Sequence, residues 1–391
     1  MSERWLFVSH EASNSGAPRM LLEVMRGMRR HAGESWACET LLARRGARNA
    51  GSVADEFARF GRVRVLMSAW AENSSKAARA VDRWLLQRRR LARWRKEWMR
   101  ERPEVIYANT AANGRILAGL RSLRCPVITH VHELDYSLRR FTRPGELAAV
   151  LRCTDRFFAV SQAVIDDLVA RGVARERIDR VPNFLLDLPA VPEVEAAKVD
   201  VRRRLGLPEG AQLVTGCGHI DPVKGTDRFV EMAAVCDAKV ARPLAFVWIG
   251  GEADAEFAAR LSAEVLSRGL GNRVHFVGAV PDARIFFAAS DVVTVTSRVE
   301  SFSRVALEAG ALGRPVLAYA EARGPADLLS ADQLIEEPTA VAMAGTVSAL
   351  LAAPEKAREQ GVALRRRIAA EFLAEKWIGE IRAVVEGLHR G

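Results

Sequence analysis

Asp291-Val292-Val293-Thr294-Val295-Thr296-Ser297-Arg298-Val299-Glu300-Ser301-Phe302-Ser303-Arg304-Val305-Ala306-Leu307-Glu308-Ala309-Gly310 is the stretch that decides how this chain is read. It opens short and β-branched, turns polar at Ser297–Ser303, then becomes mostly apolar, and Gly313-Arg314-Pro315-Val316-Leu317-Ala318 follows. That pattern predicts a buried strand, a tight polar turn, a helix and the next buried strand. Glu300 then sits in the turn at the strand's carboxyl end and Glu308 about two helical turns on. Ligands of open α/β sheets bind in that crevice, and the helix start offers free N–H groups and a positive dipole end to an anion such as phosphate. The plain alternative is two solvated glutamates on an ordinary crossover helix.

The same rhythm extends outward in both directions. Strands are expected at Gln212–Cys217, Ala245–Gly250, Val274–Val277, Val292–Thr296 and Pro315–Tyr319. In the first half they are expected at Trp5–Ser9, Cys38–Leu42, Val63–Met67, Val105–Tyr107, Val127–Val131, Phe157–Val160 and Ile178–Val181. Amphipathic helical patterns lie between many of them, as at 17–31, 75–101 and 162–171, so the sheets should be mostly parallel. Leu188–Val201, with Pro189 and Pro192, breaks the rhythm and reads as a linker. The expected organisation is a domain over 1–187, a linker over 188–201, a second domain over 202–369 and a terminal helix over 370–391 crossing back to the first.

At 391 residues two domains with substantial cores are expected. Five scattered cysteines without metal-ligand spacing suggest a reducing compartment. No apolar run is long enough to span a bilayer. Met1-Ser2-Glu3-Arg4-Trp5 enters a strand directly without a signal-peptide layout. The expected location is cytoplasmic, with the inner face of the cell membrane as a peripheral station. The net charge of +10 is unevenly spread: residues 1–190 carry 34 Lys and Arg against 21 Asp and Glu. The basic surface therefore belongs to the first half.

Other segments carry candidate chemistry. Gly216-Cys217-Gly218-His219-Ile220-Asp221-Pro222-Val223-Lys224-Gly225-Thr226-Asp227 follows the first strand of the second domain. Its glycines let backbone approach a ligand, and Lys224 near a helix start can neutralise a phosphate; an ordinary glycine-rich turn is the alternative. Ala12-Ser13-Asn14-Ser15-Gly16-Ala17-Pro18-Arg19 opens a helix, where the N–H groups of Gly16 and Ala17 could approach a phosphate or sugar. His130-Val131-His132-Glu133 ends a strand, and alternation puts His130 and His132 on the same face. Either could hydrogen-bond a sugar hydroxyl or phosphate, or be a structural histidine. Arg83–Arg102 holds nine Lys and Arg against two glutamates, with Trp84, Leu91, Trp94 and Trp98 on one helical stripe. It suits either an anionic membrane surface or a sheet-packed helix with solvated arginines. No nucleic-acid motif accompanies the charge.

The Glu-Ser-Phe-(x)5-Glu-Ala motif of Glu300–Ala309 resembles the donor-site motif of retaining glycosyltransferases of family 4. Lys224-Gly225-x-Asp227, Ala159-Val160-Ser161-Gln162, Val181-Pro182-Asn183 and the pair His132-Glu133 are similar to further stations of that family. The resemblance implies an α/β fold of GT-B type: two doubly wound Rossmann-like domains facing across a cleft, acceptor side first and nucleotide-sugar donor side second. It implies retention of configuration, with Glu308 on the donor's ribose hydroxyls and Glu300 holding the transferred sugar beside a catalytic His132. Lys224, Gly218, the Gly16-Ala17 loop and Ser301-Phe302-Ser303 would complete donor binding. His219, a further donor-binding candidate for the diphosphate, stands where the family has arginine and cannot form a guanidinium fork, so the diphosphate would rest more on Lys224 or another arginine. The expected partners are a nucleotide diphosphate sugar and a glycan or lipid-linked acceptor, with no metal or other cofactor required and no Asp-x-Asp motif. The alternatives are an epimerase or hydrolase of the same fold, or a non-catalytic membrane or nucleic-acid binding protein.

Overall fold

Near-continuous apolar strands are stable only where both sheet faces are covered, which favours parallel sheets flanked by helices. The chain forms two of them. The computed structural model describes residues 3–46, 52–143, 145–190, 194–237 and 243–390. Met1, Ser2 and residues 191–193 of the expected linker lie outside the described residues. The chain divides into a unit of Met1–Leu186 with Ala374–Gly391 and a unit of Asp187–Leu373.

The first unit's sheet contains β1 (Glu3–Ser9), β2 (Trp36–Leu42), β3 (Gly61–Val65), β4 (Val105–Asn109), β5 (Val127–Val131), β6 (Arg156–Ala159) and β7 (Ile178–Arg180), in the order β3-β2-β1-β4-β5-β6-β7. Each adjacent pair is parallel. The order reverses between β1 and β4, which opens a crevice at their carboxyl ends. On one face the helix Gly16–Ala32 buries Met20, Leu21, Val24, Met25 and Met28. Beside it lies the terminal helix Ala374–Arg390, whose Trp377, Ile378, Ile381 and Val385 enter the same core. Arg382 ties that helix to Glu3 of β1 at 2.8 Å.

On the other face the expected single helix over 75–101 is three pieces: Lys76–Val81, one wide π-helical turn at Asp82–Gln87, and Arg88–Glu101. The extra residue in the turn rotates the stripe, so the tryptophans part company. Trp94 and Trp98 are buried, with the Arg64 guanidinium 5.4 Å from each ring and Trp98 Nε1 donating to Glu39 at 3.1 Å. These two rings pack against the sheet and cannot dip into a membrane, whereas Trp84 is 64% exposed.

The second unit's sheet contains β8 (Gln212–Cys217), β9 (Leu244–Ile249), β10 (Val274–Phe276), β11 (Val292–Val295), β12 (Val316–Tyr319) and the two-residue β13 (Leu334–Ile335), in the order β10-β9-β8-β11-β12-β13. Its switch point lies between β8 and β11. Strand β13 was not expected; two residues are too few for a periodic signal. The linker expectation over 188–201 needs correction, because Val194–Leu205 is a helix. Its Ala197 and Val201 are buried and Lys198 pairs with Asp291 at 2.8 Å, so the break in rhythm at Pro189 marks only the entry to this unit. Among the described residues no helix is long and apolar enough to cross a membrane.

Candidate functional site

At the switch point of the second unit, β8 runs into the glycine-rich loop and β11 into Thr296–Ser303. The loop is built by close approach. Gly225 takes φ +67°, and a Cβ there would run into the Thr296 carbonyl oxygen. Gly250, at φ +146°, lies equally tight on the Gly218 carbonyl, which accepts Trp248 Nε1 at 3.0 Å. The two loops are stitched together: Arg298 N–H donates to Val223 O at 2.9 Å, Thr296 Oγ1 to Lys224 O at 3.2 Å, and the Arg298 fork to Asp227 at 2.8 and 2.6 Å. Burial alone would raise the Asp227 pKa, but the Arg298 fork outweighs it and holds the carboxyl below its ordinary value. Asp227 is therefore a clamp on the turn that carries Glu300.

That stitching brings Lys224 Nζ to 2.7 Å from Glu300 Oε2 across 76 residues of sequence. Ser297 Oγ donates to the same oxygen at 3.2 Å. Burial opposes the ammonium's charge, yet the Glu300 carboxylate wins and holds the Lys224 pKa above its usual value. The Lys224 side chain is still 31% exposed and that of Glu300 15%, so both remain open to a ligand. The Glu300 backbone is fixed by its N–H donating to Ala322 O at 3.1 Å and its carbonyl accepting Gly324 N–H at 3.0 Å.

The helix Arg304–Ala311 starts at Ser303, whose hydroxyl accepts Ala306 N–H at 3.2 Å. Ser303 holds φ +82°, a strained value for a residue with a side chain. Phe302 is fully buried, its ring 5.7 Å from Phe372, so this ring anchors the turn and offers nothing to a ligand. Glu308 is paired with Arg304 at 2.7 Å, and Arg304 Nη1 is buried with no hydrogen-bond partner among the described residues. Burial and then the Glu308 carboxylate push the Cys217 thiol up to about 12, against Lys224. Glu308, Cys217 and Lys224 therefore gather in one place. His219 has an exposed side chain, and Gly218 takes φ +154° beside Lys224.

In the first unit, the corresponding edge gathers residues that the sequence reading overlooked. Strand β4 runs two residues past its expected end, carrying Asn109. Asn109 Nδ2 donates to Ala17 O at 3.0 Å, and its Oδ1 lies 2.9 Å from His132 Nε2. Thr110 holds φ +91° with its hydroxyl 3.3 Å from His10 Nδ1. Burial tends to raise the Glu11 pKa, but His10, Ser13 and Arg44 bring it down to about 2. Gly16 and Ala17 begin the 17-residue helix, and its N-cap Ser15 makes no side-chain cap bond. Polar residues ending a strand give no periodic signal, which is why Asn109, Thr110, His10 and Glu11 were missed.

The structure separates the two histidines. His130 is fully buried, its Nε2 2.8 Å from Val181 O and its Nδ1 2.7 Å from Tyr107 Oη. That pairing fits a neutral ring donating to the carbonyl and accepting from the phenol, so His130 is structural; His132 is half-buried at the strand's open end. Burial pulls the His130 pKa down to about 4 from 6.5. Below pH 6.5 the unfolded chain takes up a proton that the folded chain refuses. The stability this group contributes is thus whole above pH 6.5 and lost towards pH 4, by about 3 kcal/mol. Chemical denaturation at pH 7 and pH 4.5 should show this slope in the native protein and a shallower one in His130→Gln; equal slopes would contradict it.

The family model described as "Glycosyltransferase Family 4" matches residues 15–185, and that described as "Glycosyl transferases group 1" matches residues 198–367. A D-inositol 3-phosphate glycosyltransferase 1 of Catenulispora acidiphila is 30% identical over 241 residues, 56% of this chain and 56% of that one. The chain likewise matches 56% of the length of the Segniliparus rotundus relative, so it spans about half of these proteins. The lipopolysaccharide core biosynthesis mannosyltransferase LpcC of Rhizobium leguminosarum bv. viciae is 30% identical over 265 residues, 64% of this chain and 74% of that protein. Among solved structures, HepE of Anabaena in complex with UDP and glucose is similar with a TM-score of 0.80 at 18% identity, covering 98% of this chain and 100% of that one. Sucrose-phosphate synthase of Thermosynechococcus elongatus follows at 0.78 and 19%, covering 99% of each. At such identities the likeness shows the fold, two doubly wound units of GT-B type. With one family model on each unit and a 30% identical relative matched over 74% of its length, the chain belongs to glycosyltransferase family 4, the group 1 glycosyltransferases.

Proposed function

We propose that the protein is a retaining glycosyltransferase that moves a sugar from a nucleotide diphosphate donor to a glycan or lipid-linked acceptor in cell-envelope polysaccharide synthesis. It would work in the cytoplasm, peripherally at the inner face of the cell membrane. The observation that carries the reading is the Lys224–Glu300 pair at 2.7 Å, beside Glu308 and a helix start. As the donor's C1–O bond breaks, the departing diphosphate takes the electron pair and the anomeric carbon becomes positive. Lys224 and the N–H groups at the helix start stabilise the first charge, and Glu300 the second. Glu308, oriented by Arg304, accepts from the ribose hydroxyls, and the free Arg304 Nη1 gains a partner from the same ligand. His132, oriented by its Nε2–H donating to Asn109 Oδ1, would accept a hydrogen bond from a sugar hydroxyl. With a lysine and a helix start in the electrostatic role, no metal ion is required. The names of the relatives and the UDP in HepE support this donor class.

Calorimetry with UDP and uridine, in excess chelator, tests the reading. Lys224→Ala should bind UDP about 10- to 100-fold more weakly, which is about 1.5–3 kcal/mol for one charged hydrogen bond, and uridine unchanged. Glu308→Ala should weaken both by a similar factor. Equal losses for both ligands in Lys224→Ala would move that residue off the diphosphate. Loss of turnover in chelator would overturn the metal-free assignment, and inversion at the anomeric carbon by NMR would overturn retention.

A further inference from the structure

A cavity of about 280 Å³ opens in the first unit between the helices Arg88–Glu101 and Gly114–Leu120. None of the donor-site residues lines it. Its lining combines Leu66, Leu91 and Ile116 with Arg88, Arg95 and Arg115, and includes no acidic side chain. Leu66 follows β3 and Arg115 lies just beyond β4, so the cavity opens at the carboxyl edge of the sheet, the edge that carries His10, Thr110 and His132.

Arg115 is held in place and crowded by other cations. Arg115 donates to Gln87 at 2.7 Å, Gln87 to Asp82 at 2.7 Å, and Ser68 Oγ to Asp82 at 2.7 Å. Gln87 and Asp82 are buried, so this chain of bonds fixes Arg115 from beneath. Burial and then Arg83, Arg143 and Arg88 hold the Arg115 guanidinium below its usual pKa, against Glu146. Arg83 is lowered in the same way, by burial and then by Arg143. Arg95 Nε is buried with no hydrogen-bond partner among the described residues. Crowded cations with unused donors are poorly arranged for the empty protein and well arranged for an anion. The wide turn Asp82–Gln87, the kind of helix irregularity often found at functional positions, also presents Trp84, Leu85 and Leu86 to solvent. Trp70 is exposed too, on the segment tied to this turn by the Ser68–Asp82 bond.

We infer that this cavity takes the phosphate group of an anionic amphiphile, a lipid phosphate, with Arg88, Arg95 and Arg115 on the phosphate and the apolar chain along Trp84, Leu85 and Leu86. Calling this lipid phosphate the acceptor rests on the glycosyltransferase reading; the binding itself does not. Free phosphate would use the arginines but leave the apolar wall and the exposed aromatics without a partner. Interfacial tryptophan beside basic residues matches an anionic lipid surface.

The test uses the full chain with dihexanoyl phosphatidic acid below its micellar concentration, inorganic phosphate, and vesicles of phosphatidylcholine with and without phosphatidic acid. Native protein should bind the short-chain lipid phosphate at least tenfold more tightly than inorganic phosphate, and should sediment with the anionic vesicles only. Arg115→Gln and Arg88→Gln should each weaken the lipid phosphate about tenfold or more, Trp84→Ser should weaken vesicle binding, and UDP affinity should not move. Arg115→Gln should keep native UDP affinity and a cooperative unfolding transition, so its loss of lipid phosphate is not a loss of fold. Native lipid-phosphate affinity in Arg115→Gln, equal sedimentation with both vesicles, or equal affinity for inorganic phosphate would overturn the assignment. UDP binding reports on the donor site separately, so its failure with lipid binding intact would fault only the glycosyltransferase reading.

Discussion

Glu300→Gln is expected to lower kcat by about 100- to 1,000-fold, about 3–4 kcal/mol of transition-state stabilisation, while UDP affinity stays within about threefold. The amide keeps the shape of the carboxylate and can still accept from Lys224 and Ser297. What it loses is the negative charge that, in the proposed reaction, would face an anomeric centre positive only in the transition state. A second consequence follows from the pair. Glu300 holds the Lys224 ammonium above its usual pKa, so removing the carboxylate should bring the alkaline limb of the pH–rate profile to lower pH. Steady-state kinetics across pH, with UDP calorimetry on the same preparations, measures both. Equal losses in kcat and UDP affinity would make Glu300 a ground-state binding residue.

Gly225→Ala is expected to cost about 3–5 kcal/mol of stability, combining a left-handed backbone with a collision against backbone. For a unit of this size that lowers the melting temperature by about 6–20 °C. The loop cannot move aside cheaply, because Arg298–Asp227 and Thr296–Lys224 bonds fasten it on both sides. Calorimetric melting with UDP present and absent separates the effects. The variant should melt early and gain less from UDP, since Lys224 is the next residue. A fall of less than about 2 °C would show that the loop relaxes without loss.

Much of the fold was legible because its signals are local. A β-branched run before a polar turn and an apolar helix, as in Val292–Ala311, can hardly be arranged otherwise, and repetition of that rhythm predicts parallel sheets. The Glu300 and Glu308 spacing was visible for the same reason, being set by one turn and one helix. The prolines at 189 and 192 misled, because a break in rhythm looks the same whether a linker or a helix follows; burial of Ala197 and Val201 against the second unit decided for the helix. The tryptophan stripe misled through one added residue in a helical turn. Periodicity assumes constant pitch, and only packing shows that Trp94 and Trp98 close over Arg64 while Trp84 faces water.

Roles that depend on residues far apart were beyond the sequence. Nothing local says that Lys224 meets Glu300, that Asp227 is spent on Arg298, or that His130 is sealed between Tyr107 and Val181 while His132 is only half-buried. Nor does a count of arginines reveal that Arg88, Arg95 and Arg115 line one cavity with Leu66, Leu91 and Ile116. The sequence by itself determined the alternation of strands and helices and the spacing of Glu300 and Glu308, because those follow from neighbouring residues. Tertiary structure decided which charges are paired and which are left waiting, because the Coulomb and burial terms that settle it depend on distances in space that chain order does not contain.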